Sequence, residues 1–282
     1  MLKRIVVGLD GSPYSKSAVN YACNLAKNYG ATVVGIGVVD LPEIEKHIGP
    51  GGPPGSGIYA KRLKDSKVQD ALGKVKGFLD EFEKACKEKG VSCERYSEEG
   101  EPFEAIMEEG KTADLIVVGI RTYYHFETSS EPGDTLKRLL EKPVCPVLAV
   151  TDEMVMPENV VIAFDGGYTS ARAMRSFVHL SRELSFASEV TLLRVSEDAE
   201  KQEVCEAEMA KAKRYLEAHG VSVDAVCKSG RPSQVILETA KELRPSMVVM
   251  GAFGKGTIAK LLFGSTANEI IEDASLPLFV YH

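Results

Sequence analysis

The stretch IVVGLDG at residues 5–11 returns as VVIAFDG at residues 160–166, each a short apolar run that ends in Asp-Gly. Three further landmarks recur in the same order. GEPFEAI at 100–106 returns as GRPSQVI at 230–236, DLIVVG at 114–119 as SMVVMG at 246–251, and CPVL at 145–148 as LPLF at 276–279. Four ordered matches make the chain two copies of one unit, and such a repeat decides the architecture before any single element does. The copies divide as 1–152 and 153–282, with a short linker over 151–158. Their spacing falls from 155 residues at the first landmark to 130 at the second, so about 25 extra residues sit in the first copy. They fall around GPGGPPGSG at 49–57, which predicts a mobile loop insertion over about 41–66.

Within each copy, continuous apolar runs alternate with segments of helical period, the pattern of a parallel sheet covered by helices. The runs predict strands near 3–9, 31–39, 91–97, 114–119 and 146–151, then near 159–164, 188–195, 221–228, 246–251 and 277–281. The fold class is therefore α/β, as two tandem five-stranded parallel-sheet modules. After Asp10, the residues Ala18, Ala22, Leu25, Ala26 and Tyr29 line one helical face and Gly30 stops the helix. The most charged helices are expected at about 67–89 and 197–219.

The 282 residues are 44% apolar, enough for two units that each bury a core. The first apolar stretch is too short for a signal peptide and no run reaches the roughly 20 residues of a membrane span, so a cytoplasmic chain with no membrane partner is expected. Six cysteines, at 23, 86, 93, 145, 205 and 227, form no CxxC pair and have no histidine at zinc spacing. They read as reduced, small core residues. The part through Asp152 has 20 Lys and Arg against 23 Asp and Glu, and the rest 14 against 18, so neither half offers nucleic acid a basic surface.

In the second copy the strand MVVM at 247–250 runs into GAFGKGTIAKLLFGST at 251–266. Gly251 and Gly254 let the backbone turn off the strand and approach a ligand with no Cβ in the way. Gly264, Ser265 and Thr266 open the next helix, whose free N–H groups and positive end form an anion site with two added hydroxyls. A phosphate chain fits between the two turns. Asp165 stands at a second strand end, where ligands of open parallel sheets bind; its carboxylate suits a ribose hydroxyl, an adenine amine or a metal, or else caps the helix that begins near Tyr168. A Walker A loop is excluded because Gly256 follows Lys255. GKGTIA at 254–259 is only a loose dinucleotide match at the wrong strand, and DGGYTS at 165–170 lacks the Ser and second Asp of a PP-loop enzyme.

With these residues in place the chain resembles the universal stress protein family in its tandem form. The second copy matches the family's nucleotide signature, GxxG, nine residues, then Gly-Ser/Thr, at Gly251, Gly254, Gly264 and Ser265. The resemblance implies an adenine nucleotide alpha hydrolase-like, Rossmann-like fold that binds ATP or a related adenine nucleotide, with or without Mg²⁺. It places the binding residues at Ala163, Phe164, Asp165, Val195, Met250, Gly251, Gly254, Gly264, Ser265 and Thr266. It also implies pairing through the last strand, so that the two copies form a pseudo-dimer within one chain, with a homodimer and an unidentified protein partner as further associations.

The first copy departs from this pattern. Thr122 stands for the second glycine, the loop TYYHFETSSEP is aromatic, and Gly133-Asp134 replaces Gly264-Ser265. An Asp about 4 Å from a phosphate oxygen is repelled by about 4 kcal/mol at an effective dielectric near 20. A helix terminus returns only about 0.3–2 kcal/mol. Repulsion wins, and Asp134 is better placed as the N-cap of its own helix. Of the five histidines only His125, in this altered loop beside Tyr123, Tyr124, Phe126 and Glu127, stands out as a candidate for a metal or other small ligand. The reading is a non-catalytic regulatory protein with one adenine-nucleotide site; its rivals are a slow ATP hydrolase and a binding module for another small ligand.

Overall fold

A computed structural model describes residues 2–48, 56–121, 124, 134–181, 189–196, 202–252, 265–273 and 275–282. In the first unit the elements run β1 (Arg4–Leu9), α1 (Pro13–Tyr29), β2 (Thr32–Asp40), α2 (Leu41–Ile48), α3 (Ser56–Lys89), β3 (Ser92–Gly100), α4 (Pro102–Gly110), β4 (Leu115–Gly119), α5 (Asp134–Glu141) and β5 (Val147–Val150). In the second they run β6 (Asn159–Ala163), α6 (Tyr168–Ser181), β7 (Glu189–Ser196), α7 (Gln202–Ala218), β8 (Val223–Ser229), α8 (Pro232–Glu242), β9 (Ser246–Met250), α9 (Ser265–Asp273) and β10 (Leu278–Val280).

The strands form one ten-stranded sheet in the order β3-β2-β1-β4-β5-β10-β9-β6-β7-β8. Adding five to each label of the left half gives the right half reversed, so the units are related by an approximate two-fold axis between β5 and β10. Inside each unit the pairings are parallel; across the axis Leu278 faces Ala149, Phe279 faces Leu148 and Val280 faces Val147 in an antiparallel ladder. The two five-stranded modules and the pairing of the two copies within one chain are both borne out.

Strand residues alternate between two apolar layers. Ile5, Val7 and Leu9 pack into one layer and Val6 into the other. Leu148 and Phe279 continue the first layer across the seam, while Val147, Ala149, Leu278 and Val280 continue the second. The edge-on contact of Phe177 with Phe279, 5.6 Å between centroids, packs α6 onto the seam strand. Helix α1 also crosses to the other unit: the Val155 N–H donates to Tyr21 Oη at 3.1 Å, and Tyr29 Oη donates to the Leu180 carbonyl at 2.8 Å.

Two expectations are corrected. The insertion over about 41–66 is not a loop throughout. Asp40 Oδ1 accepts the Glu43 N–H at 3.0 Å and starts α2, and α3 begins at Ser56, eleven residues before the expected start. Leu41 and Ile44 pack on the core, and Lys64 pairs with Glu45 at 2.5 Å, so the insert gains the tertiary contacts that a short helix needs. The Gly/Pro stretch at 49–55 lies outside the described residues. The cysteines also differ. Cys23, Cys86, Cys93 and Cys145 are free thiols, but Cys227, half-buried on the outermost strand β8 and not in the core, is disulfide-bonded.

Candidate functional site

In each unit the chain leaves the first strand toward one sheet edge and returns to pair on its other side. In the second unit this places a topological switch between β6 and β9, the position at which open parallel sheets form a ligand crevice beyond the carboxyl ends of their strands. Ala163 ends β6 and Asp165 follows it, Val195 is near the end of β7, Gly251 follows β9, and Ser265 and Thr266 open α9. Ala163, Phe164, Asp165, Val195, Gly251 and Thr266 are half-buried. Gly254 and Gly264 lie outside the described residues.

Alternation along the strands sorts these residues by face. Ala163 and Val195 border the same apolar layer as Met250, whereas Phe164 packs on the opposite layer and its N–H donates to the Leu193 carbonyl at 2.9 Å. Met250 is 4% exposed, so its side chain is core, and its carbonyl accepts the Tyr281 N–H at 3.3 Å. The face that Ala163 and Val195 share supplies apolar wall at the crevice.

Asp165 does not cap α6 in the ordinary way. Its Oδ1 accepts the Gly167 N–H at 2.8 Å and the Ser170 hydroxyl at 2.5 Å, closing the turn before the helix. Asp10 does the same for the Ser12 N–H at 2.9 Å, and Ser12 is the N-cap of α1. The turn is common to both units, so Asp-Gly alone does not separate a ligand site from a structural one. Gly251 has a packing reason as well: a Cβ there would stand 2.7 Å from Ser170 N and from Thr169 C. Its missing side chain lets the start of α6 lie directly on the end of β9.

The first unit has the same strand ends but a filled crevice. Tyr124 is 3% exposed and belongs to the apolar layer that also holds Val6, Val34, Ile36, Val38, Phe103 and Ile106. Its hydroxyl comes so close to β1 that a Cβ on Gly8 would stand 2.0 Å from it. Among the described residues that hydroxyl has no hydrogen-bond partner. Burial, and then the nearby Asp10 carboxylate, push the Tyr124 phenol well above its ordinary value. Asp10 is itself 4% exposed, in contrast to its counterpart Asp165. Sequence reading located the departure in Thr122, the aromatic loop and Gly133-Asp134, and did not single out this residue. The available signal was a glycine on β1 in the unit whose loop gained aromatics, against Ala163 in the other. Thr122 and His125 lie outside the described residues. Asp134 is the first residue of α5, one place inside the expected cap, as Ser265 is the first of α9.

His179, Tyr215 and His219 stack at the carboxyl ends of α6 and α7, with centroids 5.3 Å apart for the two histidines and 4.5 Å for Tyr215 and His219. Those helix ends lie at the sheet edge opposite the crevice. Among the described residues no group of three or more His, Cys, Asp or Glu is placed to hold a metal ion, and no helix is long and apolar enough to cross a membrane.

The model of the universal stress protein family matches residues 1–151 and again residues 156–282. A universal stress protein of Methanocaldococcus jannaschii, MJ0531, is 34% identical over 154 residues, covering 53% of this chain and 82% of that protein. Slr1230 of Synechocystis, also a universal stress protein, is 20% identical over 290 residues, covering 99% of this chain and 100% of that one. The crystal structure of a universal stress protein from Archaeoglobus fulgidus superposes with a TM-score of 0.71 at 20% identity, over 99% of this chain and 97% of that one. That likeness establishes the fold.

Proposed function

The chain belongs to the universal stress protein family, and on that premise we propose that it is a regulatory protein that binds one adenine nucleotide, at the crevice of its second unit. The observation that carries this reading is the contrast between equivalent strand ends: Asp165 and Ala163 half-exposed, Asp10 and Gly8 buried under Tyr124. Ala163 and Val195 offer an apolar wall for the base. Asp165, with Oδ1 engaged in its turn, presents carboxylate charge to a ribose hydroxyl. The N-terminus of α9, which opens with Ser265 and Thr266, offers phosphate oxygens the N–H groups and positive end of a helix's first turn. Residues 251–266 contain no Asp, Glu or His, so the loop itself brings no base to orient an attacking water, which supports binding over turnover.

The test is to denature the purified protein, identify any nucleotide it releases, and titrate the stripped protein with ATP by calorimetry. One site per chain, lost in Gly264→Asp, is expected. Two sites, or an affinity unchanged by that substitution, would move the phosphates elsewhere. Steady phosphate release from ATP would favour the hydrolase, and absence of any nucleotide affinity would favour a different small ligand.

A further inference from the structure

Away from the crevice, α1 and α3 of the first unit meet at sulfur. Cys23 Sγ and Cys86 Sγ are 3.6 Å apart, and both residues are fully buried. Cys93, on β3, lies close enough to Cys86 to interact with its thiol. By the repeat, the equivalent positions of the second unit are Val178, Leu216 and Val223. The fold therefore fills this place with hydrocarbon when it needs only packing, and the sulfurs of the first unit are an addition that packing does not require.

We infer that Cys23 and Cys86 are a redox-modification site, a dithiol that a hydroperoxide converts to a disulfide clamping α1 to α3. A disulfide needs the sulfurs at about 2.0 Å, so from their present contact they must close by roughly 1.5 Å. The pair is electronically unequal. The hydrogen bond from the Cys86 thiol holds the Cys23 thiol below its ordinary value, helped by the Lys89 ammonium, while the same bond and burial push Cys86 up. Lys89 Nζ donates to Asn24 Oδ1 at 3.4 Å, which keeps its charge over this helix seam. Lys89, held on Asn24 beside Cys23, favours a thiolate there, which makes Cys23 the attacking sulfur and Cys86 the resolving one.

A cavity in the same seam approaches the pair, although neither sulfur lines it. This cavity, of about 200 Å³ between α1 and α3, is lined by Val19, Asn20, Phe82 and Ala85, within one helical turn of the two cysteines. It reaches the surface beside the Lys16–Glu81 ion pair, 3.1 Å long. Hydrogen peroxide is small enough to enter. The Cys23 thiolate attacks one peroxide oxygen; the S–O bond forms, the O–O bond breaks, and the departing hydroxide takes up a proton as water. Cys86 then loses its proton and attacks the sulfenic sulfur; the S–S bond forms, the S–O bond breaks, and a second water leaves. Two thiols lose two electrons in all, and one peroxide is reduced to two waters.

The test treats the reduced full-length protein with hydrogen peroxide and maps its peptides without reduction. The expected result is a peptide pair joined through Cys23 and Cys86 and separated again by a dithiol reductant. In the native protein it should come with a rise in thermal midpoint. Cys23→Val and Cys86→Leu copy the second unit and should each abolish both the link and the rise, while Cys93→Val should keep both. The disulfide at Cys227 is distinguished by its own peptide. Recovery of Cys23 and Cys86 as free or over-oxidised thiols, or a link between Cys86 and Cys93 in their place, would overturn the inference.

Discussion

The contact between Tyr124 and Gly8 can be measured by a double-mutant cycle. In Gly8→Ala the new Cβ would stand 2.0 Å from Tyr124 Oη, a distance that forces ring or strand to move. Overpacking of this kind costs about 1–3 kcal/mol. Tyr124→Phe removes that oxygen, which is buried without a partner among the described residues; a hydroxyl in that state costs about 1–3 kcal/mol, so the phenylalanine variant should be at least as stable as the parent. In the phenylalanine background the nearest atoms to the new Cβ are Ile106 Cδ1 at 3.1 Å and the ring Cζ at 3.4 Å. Gly8→Ala should then cost less than about 1 kcal/mol, leaving a coupling of about 1 kcal/mol or more. With a urea slope of about 1–3 kcal/mol/M, the coupling appears as several tenths of a molar in the unfolding midpoint. An equal cost of Gly8→Ala in both backgrounds, or a phenylalanine variant clearly less stable than the parent, would refute the filled crevice.

Alkaline pH should destabilise the fold. Burial raises the phenols of Tyr124 and Tyr21, the latter to about 12. Free tyrosine in the unfolded chain releases its proton near pH 10, so these groups favour the native state fully below about pH 10 and progressively less above it. Urea unfolding at about pH 8 and about pH 11 should show the loss, and Tyr21→Phe combined with Tyr124→Phe should flatten it. Gly251→Ala places a Cβ 2.7 Å from the backbone of Thr169 and Ser170, neither of which can rotate away. A cost of about 1–3 kcal/mol is expected whether or not nucleotide is present, and a silent substitution would show that α6 does not rest on β9. If the Cys23–Cys86 link forms, it closes a loop of about 60 residues, and chain-entropy reasoning gives a gain of about 4 kcal/mol, readable as a higher urea midpoint of the oxidised protein.

How much of this was legible in the sequence depends on the range of the interaction. The strands were readable because buried parallel strands need continuous apolar runs, and the repeat supplied each of them twice. The insertion was misread because Pro and Gly at 49–57 outweighed the helix-forming residues on either side, whose stability comes from contacts such as Leu41 and Ile44 on the core. Helix pairing shows the same limit. Arg138 of α5 pairs with Glu101, and in the second unit Arg231 pairs with Glu269 of α9, the same place with the charges exchanged. Compared position by position, the two sequences register only differences there, although the interaction is preserved.

The asymmetry between the crevices is the sharpest case. Charge arithmetic on Asp134 predicted that the first unit would reject phosphates, and that argument concerns one end of a ligand. Tyr124 acts at the other end, where a base would lie, and it acts by volume. A filled crevice excludes a nucleotide whatever its phosphate count, whereas repulsion at Asp134 would weaken a triphosphate more than a nucleoside. The two causes therefore separate experimentally. Tyr124→Ala opens the first crevice but leaves Asp134 in place, at a cavity cost of about 3–5 kcal/mol if nothing enters. If volume is the controlling term, adenosine should bind this variant at a second site and recover part of that stability in proportion to its concentration, while ATP should bind there more weakly. Equal second-site binding of adenosine and ATP would remove the charge argument and leave the ring alone. A variant with no second site for either would show that the first unit lacks a nucleotide site for reasons beyond both residues.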